Sequence, residues 1–141
     1  MPNFGTLKAD TLTHSTAGSL ATNFVVEGSA KAWMNLDGTA TFDSSDTEIR
    51  DSFNMTTITD EGTGDYGASF TNNMGNANYS ITDGSYSGGT TRGTMLSGNS
   101  TNSQTASSFR QHYGLSTADN SDGTADGDVS FVRIAVHGDL A

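Results

Sequence analysis

Cysteine is absent from the 141 residues, which excludes a disulfide framework, thiol catalysis and thiolate metal sites. Proline occurs once, Lys twice and Glu three times, so the residues that dominate disordered segments are rare. Large apolar side chains are scarce too. Only 23 residues are Leu, Ile, Val or Phe, below the level of about 20% under which a strongly charged chain tends to stay unfolded. The longest purely aliphatic or aromatic runs are three residues, Phe24-Val25-Val26 and Ile134-Ala135-Val136, and a membrane-spanning helix needs about 20. The opening Met1-Pro2-Asn3-Phe4-Gly5 lacks the charged and apolar regions of a signal peptide. Basic residues are few and scattered, at Lys8, Lys31, Arg50, Arg92, Arg110 and Arg133. No basic stripe forms, so nucleic acid is not an expected partner, and the short apolar runs give no expectation of membrane insertion.

The acid excess is mostly aspartate, 13 Asp to 3 Glu, with a formal net charge of −10. Asp, with 17 Gly and abundant Ser, Thr and Asn, belongs to turns and caps more than to helix interiors. Twelve aromatics fall in alternating runs. Order on so thin a core predicts that each protomer borrows core from its neighbours in an obligate oligomer. The acidity then keeps a crowded, repeated surface soluble. The length fits one domain.

Period two governs the hydrophobic pattern. Ala30, Ala32, Met34 and Leu36 alternate with Lys31, Trp33 and Asn35 up to a stop at Asp37-Gly38. Ile49, Phe53 and Met55 share one parity and Ile58 the other, so a bulge or break is expected near Thr56-Thr57. A hairpin follows, with its loop at residues 60–64 and Tyr66, Ala68 and Phe70 on the return strand. Shorter strands are expected at 78–82 and 93–96, and longer ones at 107–115 and 129–136. Polar stretches 84–92, 97–107 and 116–128 read as loops. No window has helical spacing beyond a single turn at Phe109, His112 and Tyr113. The expectation is an all-β chain: an extended N-terminal arm or attachment strand over 1–23, then a small antiparallel β-sandwich or jelly roll over 24–141.

The string Gly28-Ser29-Ala30-Lys31-Ala32-Trp33, then Asn35 and Gly38-Thr39, resembles a segment common in tail-fibre and minor tail structural proteins of marine and freshwater bacteriophages. The likeness continues through Ile49-Arg50-Asp51-Ser52-Phe53-Asn54, Ile58-Thr59-Asp60, Gly62-Thr63-Gly64-Asp65-Tyr66, Phe70-Thr71 and Asn78-Tyr79. The opening 5–12 and the closing Val132 to Ala135, Val136, Gly138 and Asp139 are similar too. It covers residues 5–83 and 105–141. The resemblance implies a β-rich, homotrimeric, non-catalytic module on a virion surface, assembled in the cytoplasm of a bacterial host. Two departures stand out. The chain begins almost directly with the module, and residues 40–48 insert acidic, polar material. Both fit a decoration of the capsid as well as a fibre.

Gly62-Thr63-Gly64-Asp65-Tyr66-Gly67 matches G-x-G-x-x-G, but a strand continues where a dinucleotide site needs a helix, and Asp65 would repel phosphate. Asp119, Asp122, Asp126 and Asp128 crowd one loop that could offer oxygens to calcium. The spacing matches no EF-hand and lacks the closing Glu, so a solvated turn before the last strand is the favoured reading. His14, His112 and His137 are isolated in sequence. No nucleophile elbow is present, since Gly84-Ser85-Tyr86-Ser87-Gly88 puts Tyr at the nucleophile position. No cofactor is expected. Trp33 is the sole tryptophan and could stack on a sugar; core or protomer-interface packing is the favoured role for it, as for Phe53, Phe70 and Phe131.

The expected function is a homotrimeric tail-fibre or tail-tip module contacting other virion proteins. Contact with a host-surface glycan, if made, would fall to the polar loops, with Tyr86 and Arg92 as candidates. The alternatives are a capsid-decorating protein clipped on by its N-terminal arm and, remotely, a virion-associated glycan hydrolase, for which no carboxylate pair is singled out.

Overall fold

The computed structural model describes residues 11–15, 18–42, 48–87, 94–96, 103–116 and 124–141. Within them, strands β1 (Thr11–His14) and β2 (Gly18–Ala21) pair as an antiparallel hairpin. Helix α1 (Thr22–Gly28) follows and crosses the expected boundary at residue 23. Then come β3 (Ala32–Leu36), β4 (Ile49–Phe53), β5 (Met55–Gly62), β6 (Asp65–Phe70) and β7 (Ser80–Asp83). The last strands are β8 (Thr94–Leu96), β9 (Ser103–Gln104), β10 (Ser108–Ser116), β11 (Thr124–Asp126) and β12 (Val132–His137).

Apart from α1 the described chain is all-β, arranged as a small antiparallel sandwich. One sheet has the order β4-β3-β12-β7. The other runs β11-β10-β6-β5, with β8 and β9 also paired to β10. Alternation decides what each sheet buries. Ala32, Met34 and Leu36 of β3 and Val132, Ile134 and Val136 of β12 face Tyr66, Ala68 and Phe70 of β6 and Phe109 and Tyr113 of β10. Met74, Tyr79 and Val129 complete the core. Phe70 is the hub of its aromatic part, edge-on to Tyr79 at 5.5 Å and tilted to Phe109 at 5.7 Å.

The chain changes sheets at one residue. Asn54, between β4 and β5, sits at φ 57°, a left-handed conformation that Asn tolerates better than most side chains. Its amide Nδ2 donates to the Lys31 and Asn72 carbonyls (2.9 and 3.0 Å), and its Oδ1 accepts from the Asn72 backbone N–H at 2.7 Å. A register shift between Met55 and Thr57 follows directly. This is the break that the parity change between Met55 and Ile58 predicts.

The β5–β6 hairpin turns through Gly62 and Gly64, both at positive φ. At Gly64 a Cβ would lie 2.5 Å from the Tyr113 carbonyl oxygen, so close approach and backbone conformation both require glycine. Tyr66 then ties this hairpin to the other sheet. Its hydroxyl donates to the Gly38 carbonyl at 2.9 Å, in the turn that ends β3. The Gly64 N–H donates to the Asp128 carboxylate at 2.7 Å. Beside it, Arg110 grips the buried Asp65 through Nε (2.7 Å) and Nη2 (2.5 Å).

Three elements depart from the sequence expectation. Helix α1 has no side-chain hydrogen bond at its N-cap and no acidic residue in its first turn. It is held at its C-terminal end, where the Lys31 ammonium donates to the Val26 carbonyl, to the Ser29 carbonyl at 3.1 Å and to Ser29 Oγ at 2.8 Å. A cation there also suits the helix dipole. Strands β9 and β11 fall inside segments that read as loops, because their two or three mostly polar residues carry no hydrophobic period and, among the described residues, pair only with β10.

Candidate functional site

Two surface features stand out, and Phe53 belongs to both. The outer face of the β4-β3-β12-β7 sheet carries the residues that alternate away from the core. Register places Trp33 opposite Phe53 on one side and Ala135 on the other, with Thr82 next in the row. The row beside it holds Asp51, Asn35 and Arg133. At the end of the sheet the half-buried Phe131 lies between two guanidinium groups, Arg50 at 4.4 Å and Arg133 at 4.5 Å from its ring centre. Arg50 is fixed there by donating to the Leu36 and Ser130 carbonyls (2.6 and 2.9 Å) and to Asp37 at 2.8 Å. Tyr86 bridges to Phe131 through the backbone, with ring centres 6.3 Å apart.

The second feature is an apolar groove of about 400 Å³ where α1, the β4–β5 junction and the C-terminus converge. Val25, Val26, Phe53 and Leu140 line it, each between 41% and 60% exposed. They are four of the six exposed large hydrophobics among the described residues. Among its described lining residues the only charged one is Lys31, whose ammonium is already held by the helix end. Among the described residues no carboxylate lines the groove.

Phe70 lies in the core, and Trp33, Phe53 and Phe131 lie on the outer face. Tyr86 is 52% exposed beside them. Arg92 lies outside the described residues, as do Asp119 and Asp122. Asp126 sits 3.3 Å from the buried His112 Nε2. Asp128 is engaged by the Gly64 N–H, 2.7 Å away. Among the described residues no group of three or more His, Asp or Glu is placed to hold a metal ion. His137 is half-buried on β12, and the His14 side chain is outside the description.

Two buried tyrosines stabilise the scaffold beneath the outer face. Tyr113 donates to Asp83 at 3.2 Å and lies 3.1 Å from Ser85 Oγ, which in turn accepts from the Arg133 backbone N–H. Burial pushes the Tyr113 and Tyr66 phenols far above their ordinary range, and nearby Asp83 and Asp128 push in the same direction. Both stay protonated and act as hydrogen-bond donors.

The groove was not legible in the sequence, because it joins residues from positions 25 to 140. Its one local signal is the run Phe24-Val25-Val26, placed outside any alternating strand. Compared with family models, curated proteins and solved structures, the chain matches none.

Proposed function

We propose that this chain is a non-enzymatic structural module of a bacteriophage particle, assembled as a homotrimer in a tail fibre or tail tip. The observation that carries the reading is the groove. Four exposed apolar side chains gather at one place on a protein with little apolar material to spare, and such patches mark interaction surfaces. A second copy is the favoured occupant on charge grounds. Two chains of net charge −10 repel wherever their acids meet, and the described lining of the groove has no acid. The tyrosine- and hydrogen-bond-tied sandwich supplies the rigid body that a projection needs. The resemblance of residues 28–39, 49–66 and 132–139 to phage tail proteins supplies the biological setting.

Cryo-electron microscopy of particles encoding this chain tests the proposal. Copies at the tail in threes are expected. Copies in icosahedral numbers over the head would replace the tail assignment with capsid decoration, and absence from the particle would overturn the virion reading.

A further inference from the structure

We propose that the outer face of the β4-β3-β12-β7 sheet binds a carboxylate-bearing pyranose sugar in a shallow hollow beside Trp33. The site would give the projecting module a ligand and in that biological sense rests on the function proposed above. Its chemistry is a property of the isolated chain.

The hollow, about 390 Å³, is lined by Trp33, Asn35, Thr82, Asp83, Arg133 and Ala135. It follows from the strand register. Trp33 and Arg133 are diagonal neighbours on adjacent strands, since Trp33 pairs with Ala135 and Asn35 with Arg133; diagonal pairs lie about 7–8 Å apart. Between the indole and Thr82 the row holds only the methyl group of Ala135. The space is therefore open beside an aromatic face on a rigid sheet.

Three features give the hollow a chemical preference. The first is Arg133. Among the described residues the other cationic side chains have polar acceptors: Lys31 at the end of α1, Arg50 at Asp37, Arg110 at Asp65. Arg133 has the Phe131 ring and no described carboxylate. In a chain with thirteen aspartates, an exposed guanidinium held by an aromatic ring is prepared for an external anion, and Arg pairs with carboxylate through two parallel hydrogen bonds. The second is Asn35, whose Oδ1 is buried without a hydrogen-bond partner among the described residues. A buried acceptor left unsatisfied is unfavourable, and a rotation of the amide toward the hollow would let a ligand hydroxyl satisfy it. The third is the makeup of the lining. Its accessible surface is mainly apolar with a few convergent polar groups, the pattern of small-ligand sites. A pyranose offers a C–H face to the indole, a carboxylate to Arg133 and a hydroxyl to Asn35. Asp83 is the acid in the lining; its Oδ1 is occupied by the Ser85 N–H at 3.0 Å and by the Tyr113 hydroxyl.

Trp33 is the only tryptophan, so its fluorescence reads the hollow directly. The full chain is titrated with trigalacturonate and, in parallel, with neutral maltotriose. A saturable change in Trp33 emission with trigalacturonate is expected, weakened by salt. Arg133→Gln should weaken it by about 10- to 100-fold, the range for losing a charged hydrogen-bonded contact, with the circular dichroism spectrum unchanged. Ala135→Phe, which fills the hollow, should abolish it. No saturable response to trigalacturonate would overturn the site, as would equal binding of maltotriose unaffected by Arg133→Gln. Because the assay uses purified protein, its failure leaves the particle location untouched, and the reverse also holds.

Discussion

Several side chains hold this thin sandwich together through ionisation states that pH can reach. Asp37 accepts from the Thr39 hydroxyl at 2.6 Å and pairs with Arg50. These contacts, the Thr39 bond first, hold its carboxyl below the ordinary 3.8. A depressed folded-state value means that its stabilisation is present above 3.8 and disappears as pH falls through the lower folded value. Asp37→Asn should therefore be less stable than the wild type at neutral pH and equal to it well below 3.8 in urea unfolding followed by circular dichroism. The tyrosines act at the other end of the scale. Burial raises Tyr66, Tyr79 and Tyr113 above their ordinary 10.0. The unfolded chain begins to lose phenolic protons near 10.0 while the folded chain keeps them, so stability holds below that pH and falls as pH rises beyond it. Tyr113→Phe should flatten that alkaline decline; an unchanged slope would mean that Tyr113 ionises as freely in the fold as outside it.

At the scale of elements, the glycines of the β5–β6 turn make a sharp contrast with the one that ends α1. Gly64→Ala places a Cβ 2.5 Å from the Tyr113 carbonyl at φ 69°, and the combination of clash and strain should cost about 2–4 kcal/mol. Gly28→Ala meets nothing within 4 Å and should be neutral or stabilising by up to about 1 kcal/mol. Thermal melts of the two variants give both signs. Elements built on period two were legible in the sequence: Ala32, Met34 and Leu36 turn inward, Tyr66, Ala68 and Phe70 do the same, and the sheet change falls at Asn54 beside the parity break. Elements held by other means were not. Helix α1 is seven residues long and secured by a lysine from outside it, and β9 and β11 borrow their order from β10. The outer-face ligand hollow was half legible. Trp33 declared itself as the sole tryptophan, but its neighbours Arg133 and Thr82 lie about fifty to a hundred positions away and meet it only through the register of β12 and β7.

At the scale of the molecule, four of the six exposed large hydrophobics among the described residues lie in one place. Its core draws on fourteen buried hydrophobic residues among those described, and truncating one of the largest, Phe109→Ala, should cost about 3–5 kcal/mol. Against that modest reserve, leaving Val25, Val26, Phe53 and Leu140 in water makes physical sense if another copy covers them. Sedimentation velocity on the purified chain, beside a Val26→Asp/Phe53→Asp double variant, tests the oligomer. Both substituted side chains are more than half exposed in the protomer, so the fold should survive the change. The wild type should be a trimer and the variant a folded monomer. A wild type that stays monomeric at every concentration, or a variant that remains trimeric, would contradict it.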